Sequence, residues 1–203
     1  MIKLDVEQGS DEWFAARCGI PTASNFDKII TATGKKSSQA EGYMNTLLAE
    51  SVTSEKSSIK QTDWMLRGIE MEPEARETYE FITDSKVDQT GLVFRDESKN
   101  VACSPDGLLP DRGLEIKCPA PGTHIGYLLG GKTPTTYIPQ LQGSMWVTGF
   151  DTWDFLSYHP DIKPMIITVR RDEKFHNALD EIMGAFLDTL NEKRELLAQK
   201  LAA

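Results

Sequence analysis

No run in this chain approaches the roughly 20 consecutive apolar residues that carry a helix across a bilayer, so no membrane partner is expected. Cysteine is scarce. Cys18, Cys103 and Cys118 are odd in number, widely spaced and without a CxxC pair, which excludes a disulfide framework and a four-cysteine iron–sulfur cluster. The three histidines are too scattered for a zinc motif. Internal repeats and low-complexity tracts are missing. The start, Met1-Ile2-Lys3-Leu4-Asp5, lacks the basic-then-apolar pattern of a secretory signal, and a reduced, cytoplasmic protein is expected. Positive charge is also short, with 22 Lys and Arg against 31 Asp and Glu and a net charge of −9. That balance disfavours a protein that coats DNA by bulk electrostatics, because such affinity comes from neutralising phosphates. It leaves room for local contact through Lys35-Lys36, Lys56 with Lys60, and Arg67, since screening confines each charge to about 8 Å.

What is present reads as one α/β domain over residues 1–203, a length that can bury a full core. Ser10 opens a short helix with Asp11 and Glu12 in its first turn. Ser24 with Asp27, and Ser38 with Glu41, have capping-box spacing. The second box leads a helix with Tyr43, Met44, Leu47, Leu48 and Val52 on one face. Residues 62–82 have helical periodicity, which Pro73 is expected to kink or restart. Residues 86–95, 100–104 and 113–118 are short, β-rich and separated by turn signals. Pro139 suits the first turn of a helix ending near Thr148, residues 151–158 and 165–170 read as strands, and Asp172 caps a long final helix. The sum is a central mixed sheet flanked by helices.

Acid-x-Lys triplets occur at Asp84, Glu97, Glu115, Asp161 and Asp172, and most are ordinary solvated surface. Glu115-Ile116-Lys117 differs, because Leu114 and Ile116 alternate with the charged pair and a strand would aim Glu115 and Lys117 to one side. Upstream, Ser104-Pro105-Asp106-Gly107 ends a strand at a turn, so a hairpin would set Asp106 beside Glu115. An exposed hairpin carrying an ion pair is the plainer reading of the same spacing. The chemical reading is phosphodiester hydrolysis. Two carboxylates hold one or two hard cations, Mg²⁺ or Mn²⁺, and a lysine orients water and stabilises nearby negative charge.

Asp106-x8-Glu115-x-Lys117 resembles the PD-(D/E)xK nuclease superfamily, and its surroundings resemble the phage lambda exonuclease family. The resemblance runs through most of the chain. It is strongest at residues 7–13, 22–24, 95–98, 103–108, 113–119, 144–148 and 171–174. It implies a restriction-endonuclease-like core. Asp106 and Glu115 would be metal ligands joined by the backbone carbonyl of Ile116, Lys117 the water-orienting lysine, and Glu72 a helix-borne acid near the metals. It further implies that Arg17, Ser24, Ser104 and Gln140 hold a terminal 5′ phosphate. Ser24 is also read as opening a helix, where free N–H groups attract anions. Lys60 is a further source of charge, because Thr123 and His124 stand in the loop expected after Pro119, where a basic residue is expected. Met65 beside Trp64 is either core or an apolar wedge that parts the terminal base pairs.

The expected activity is 5′→3′ digestion of double-stranded DNA ends to mononucleotides, leaving 3′ single-stranded tails. Resemblance implies a homotrimeric ring, a single-strand annealing protein as partner, and a phage or prophage protein in a bacterial cytoplasm. Two rivals stand beside this: a restriction-type or structure-specific endonuclease with the same triad, and a non-catalytic DNA clamp or recombination scaffold.

Overall fold

The computed structural model describes residues 1–53 and 63–202, with side chains from residue 66 onward in the second segment. Its strands divide into two sheets. β1 (Ile2–Leu4), β2 (Leu92–Phe94) and β3 (Ala102–Cys103) pair antiparallel in that order. β4 (Gly107–Leu108), β5 (Gly113–Lys117), β6 (Thr152–His159) and β7 (Ile162–Arg170) form the second, in which β5 and β6 run parallel. The single mixed sheet expected from the sequence is therefore split between β3 and β4. Only Ser104, Pro105 and Asp106 lie between those strands, and Pro105 has no N–H to continue a ladder.

A parallel pair cannot be joined by a hairpin and needs a crossover. Here it is α4 (Pro121–Gly130), a 3₁₀ turn (Thr135–Tyr137) and α5 (Ile138–Thr148). The register sets Glu115 opposite Phe155 and Lys117 opposite Ser157. Phe155 belongs to the main apolar core with Leu141 and Met145 of α5, so Glu115 rises from the core-facing side of its strand. Leu114 and Ile116 point the other way, into a cluster with Leu156 and with Ala75 and Tyr79 of α3 (Asp63–Thr83). The strand alternation read from residues 114–117 holds, with both of its faces covered.

α1 (Asp11–Arg17) is capped by Ser10, whose hydroxyl accepts from the Trp13 amide at 3.2 Å. α2 (Ala40–Thr53) buries Tyr43, Met44, Leu47 and Leu48, while Val52 is exposed. α6 (Glu173–Ala202) is capped by Asp172, which accepts from the Phe175 amide at 3.1 Å. Three expectations change. α3 runs through Pro73 without restarting, because Ala75 and Tyr79 beyond the proline are anchored at zero exposure. The Ser24 segment is a six-residue 3₁₀ turn (Ala23–Lys28) whose cap position is Thr22, so Ser24 opens no helix. Residues after Pro119 form α4 rather than a loop, and His124 is fully buried there between the Ser157 hydroxyl (2.7 Å) and the Lys163 carbonyl (3.0 Å).

The β4–β5 turn is tied down by a buried network. Asp154 of β6 accepts from the Tyr79 hydroxyl at 2.6 Å and from Thr168, and Arg112 of the turn approaches it at 3.1 Å. At the start of β5 the chain touches the buried Trp153 ring, and a Cβ on Gly113 would lie 2.4 Å from three ring carbons. Gly113→Ala is therefore expected to cost about 1–3 kcal/mol by overpacking. It should lower Tm by several degrees, as thermal denaturation followed by circular dichroism would show. An unchanged Tm would mean that Trp153 does not hold β5 in place.

Candidate active site

The β4–β5 hairpin and the body of α3 bring four charged side chains together. Asp106 stands just before β4, and its Oδ2 accepts from the Ile116 amide at 2.6 Å. Glu115, 1% exposed, accepts at Oε1 from Lys117 Nζ and from Gln140 Nε2, the latter at 2.7 Å. Its other oxygen, Oε2, is buried with no hydrogen-bond partner among the described residues. Glu72 arrives from α3 and pairs with Arg76 one helical turn on. Arg76 Nε also donates to the Asp106 carbonyl at 3.1 Å, so one guanidinium joins α3 to the loop that carries Asp106.

Burial and mutual repulsion dominate the electrostatics. Desolvation, reinforced by Asp106, pushes Glu72 up to about 7. Desolvation and Asp106 also push Glu115 up to about 7, against the lowering influence of Lys117. Asp106 is raised by desolvation in the same way. Burial alone would lower Lys117, but Glu115 and Asp106 outweigh it and hold the ammonium above its ordinary range. These acids therefore share a site that binds positive charge more tightly than water would.

The residues fit a hard divalent cation. Among the described residues no three His, Cys, Asp or Glu side chains close into a cage by themselves. Mg²⁺ does not require one, because it keeps several waters and takes one or two carboxylates. Glu115 Oε2 is the orphaned buried oxygen such an ion would answer.

A second constellation surrounds Arg17, which is only 6% exposed. Its Nη1 donates to Ser104 Oγ at 2.6 Å, and its Nη2 reaches Thr22 and Ser24, each at 3.4 Å. The guanidinium lies over the Trp13 ring at 4.0 Å, and Trp13 Nε1 donates to Ser104 Oγ at 3.0 Å. Burial brings Arg17 down to about 10. Among the described residues it makes no ion pair; hydroxyls and an aromatic face surround it. Ser104 Oγ accepts twice, which leaves its own proton to be donated elsewhere.

The structure thus gathers Arg17, Ser24 and Ser104 in one group and Asp106, Glu115, Lys117 and Glu72 in another. Gln140 joins the second group through Glu115 rather than the first. Side chains at Met65 and Lys60 lie outside the described residues. Sequence reasoning missed Arg76 and Trp13, although both carry a helical signal: Glu72–Arg76 and Trp13–Arg17 are i,i+4 pairs.

Residues 12–151 match the YqaJ-like viral recombinase domain, a span that includes every candidate site residue. The chain is similar to an alkaline exonuclease from Laribacter hongkongensis, LHK-Exo, at 33% identity and a TM-score of 0.85, covering 95% of this chain and 98% of that one. The structure of LHK-Exo in complex with dAMP gives a TM-score of 0.84 at the same identity and coverage. A phage-related exonuclease from Haemophilus somnus 129PT shares the fold, with 16% identity, a TM-score of 0.69, and coverage of 89% and 96%. An Escherichia coli (strain K12) protein named ExoD is 34% identical over 71 residues, 32% of this chain and 82% of that protein.

The raised carboxyls predict a pH dependence of stability. Glu72 and Glu115 ordinarily titrate at 4.5 and in the fold at about 7, so the folded state binds more protons between those values. Their contribution is fully present below pH 4.5 and is lost as the pH rises through about 7. With divalent cations chelated, Glu115→Gln should show a shallower fall in Tm between pH 5 and 8 than the unmodified protein. Parallel Tm–pH curves for the two would refute the repulsion argument.

Proposed function

The chain belongs to the YqaJ-like viral recombinase domain family, and from that premise we propose that it is a metal-dependent 5′→3′ exonuclease acting on double-stranded DNA ends. The observation that carries the reading is the divided Glu115 carboxylate. One oxygen is held by Lys117 and Gln140, and the other is buried without a partner in the field of Asp106.

In this reading Asp106, Glu115 and the Ile116 carbonyl hold one or two Mg²⁺ or Mn²⁺ ions, with Glu72 close by. The bound cation supplies Lewis-acid polarisation and neutralises charge that develops on phosphoryl oxygens. Gln140 and Lys117 hold Glu115 in one orientation, so its free oxygen keeps a constant aim. Lys117 Nζ orients the attacking water and offsets negative charge beside it. Arg76 keeps Glu72 and the Asp106 loop at a fixed spacing. Protons compete with the cation for carboxylates titrating at about 7, which favours turnover on the alkaline side. The relative with 33% identity is itself described as an alkaline exonuclease.

Arg17 supports end recognition. A buried guanidinium that, among the described residues, meets hydroxyls and an aromatic face suits a phosphate, which accepts charge-assisted, bidentate hydrogen bonds. Ser104, whose hydroxyl still has a proton to donate, and Ser24 would complete a pocket for a 5′ terminal phosphate. Release of mononucleotides is supported by LHK-Exo, which has been crystallised with dAMP. The product would be a 3′ single-stranded tail for a single-strand annealing protein. A homotrimeric ring would keep a chain of net charge −9 on its substrate by encirclement. The reading takes residues 1–203 as one nuclease domain in a bacterial cytoplasm, encoded by phage or prophage; no described helix is long and apolar enough to cross a membrane.

Four outcomes test this. In Mg²⁺ the protein should degrade linear duplex, spare covalently closed circles and release label from the 5′ end first. Cleavage of closed circles would make it an endonuclease, and no cleavage at all would leave a DNA clamp or scaffold. Asp106→Asn and Glu115→Gln should each abolish turnover with folding intact, while Lys117→Ala should keep DNA and metal binding and lose rate. The unmodified enzyme should prefer 5′-phosphorylated over 5′-hydroxyl duplex, because an anchored end places the scissile bond at the metals. Arg17→Ala should narrow that preference by roughly tenfold or more, given about 1.5–3 kcal/mol for hydrogen bonds to a charged group. A preference untouched by Arg17→Ala returns Arg17 to a structural role. Light scattering should report about three times the 22.7 kDa chain mass.

A further inference from the structure

Lys117 ends a flexible four-carbon stem, and a water-orienting ammonium is useful only if it stays in one place. Glu115 holds it from one side. On another, Nζ lies 5.3 Å from the centre of the Tyr137 ring, within the reach of a cation–π contact. That ring is itself braced. It packs on the buried Phe155 at 5.3 Å and 32°, and meets Tyr127 edge-on at 6.4 Å and 88°. The two tyrosine hydroxyls stand 3.4 Å apart. Tyr127 in turn packs against Phe155 at 6.3 Å, so the three rings support one another.

Tyr137 closes the 3₁₀ turn and sits at the N-cap of α5, three residues before Gln140. One turn of helix therefore delivers two side chains to the Glu115–Lys117 pair: an amide on the carboxylate and a ring beside the ammonium. We propose that Tyr137 is a positioning residue that confines Lys117 Nζ to its working location through the face of its ring, while Gln140 sets the Glu115 carboxylate from the same turn. The proposal rests on the nuclease reading of Lys117. It assigns the aromatic face the work and leaves the hydroxyl to bracing by Tyr127. On the proposal, the effect of Tyr137 passes through the lysine.

The test uses the full-length protein with Mg²⁺ and 5′-phosphorylated linear duplex. Tyr137→Leu should lower kcat roughly 5- to 30-fold, the range of a partly desolvated cation–π contact, with KM for DNA little changed. Tyr137→Phe, which keeps the ring, should recover most of that rate. Placed on a Lys117→Ala background, Tyr137→Leu should cost nothing further, because a residue acting through another is non-additive with it. Tyr137→Leu turnover equal to the unmodified enzyme, a Phe variant as slow as the Leu variant, or a full multiplicative loss on the Lys117→Ala background would each overturn the proposal. A readout without catalysis separates this from the parent reading. In protein labelled with ¹³C at lysine, the Lys117 ε-protons should be shifted upfield by the ring, retained in Tyr137→Phe and lost in Tyr137→Leu. If the unmodified chain cleaves no DNA, the nuclease reading fails, and the same spectra still decide whether the ring holds the lysine. An unshifted Lys117 signal in the unmodified protein rejects the contact outright.

Discussion

Asp106, Glu115 and Glu72 are partly or fully withdrawn from solvent and lie close together, and the local architecture is arranged around that constraint. Burying an acid among other acids is unfavourable unless cations and N–H groups are fixed nearby. The fold supplies them from three elements, β5, α5 and α3. The Ile116 amide serves Asp106, Lys117 and Gln140 serve Glu115, and Arg76 serves Glu72 while holding the Asp106 carbonyl. Each partner comes with a structural commitment. The Ile116 amide is available only because the β4–β5 hairpin keeps its register, Gln140 only because the crossover returns over the core face of β5, and Arg76 only because α3 stays helical past Pro73. On the proposed reading, the residual repulsion left by this arrangement is what a divalent cation would relieve.

The passage from β3 to β4 gives the molecule its second property. Ser104 and Asp106 are two residues apart in the connection between the sheets. Ser104 is gripped by Arg17 and Trp13 from α1, and Asp106 by Ile116 and Arg76. Whatever engages the hydroxyl-lined guanidinium is thereby set at a short, nearly rigid offset from the carboxylates. Positioning of this kind contributes to rate without any strengthening of individual contacts. The Trp13 ring has two tasks in it, stacking on Arg17 and orienting Ser104, so an indole is harder to replace there than any other aromatic side chain.

Much of the site was legible in the sequence because its central part is local. Glu115 and Lys117 share a strand face by simple alternation, and the turn residues at 106–107 and 111–113 announce the hairpin that adds Asp106. The α/β class, the ends of α5 and the cap of α6 were readable for the same reason. What escaped depends on tertiary contact. Ser24 has the sequence of a cap, yet Thr22 takes that position because its backbone enters the 3₁₀ turn extended. α4 has little helical patterning, since its buried His124 reads as polar and finds its partners only on β6 and β7. The split into two sheets hinges on three residues with no signature beyond a proline. Arg76 was not singled out in the sequence, because its role exists only where α3 meets the Asp106 loop.

The net charge of −9 takes on a different meaning beside this geometry. Attraction of a duplex by diffuse positive surface would draw the protein to any stretch of backbone equally, since every internal phosphate is alike. The cations that matter here are few and partly buried: Arg17 among hydroxyls, and Lys117 and Arg76 among acids. Neighbouring acids offset the fields of Lys117 and Arg76, and surrounding negative charge repels backbone that does not reach these cations. A terminal phosphate monoester differs from an internal diester, carrying about −1.5 to −2 charge rather than −1 and offering three free oxygens. A buried guanidinium flanked by hydroxyl donors rewards that difference, whereas a broad basic surface would mask it. On the proposed reading, acidity therefore serves end selection. On that reading the duplex interior would be held weakly and the phosphorylated end strongly, and topological retention by a ring would supply the residence that bulk electrostatics does not.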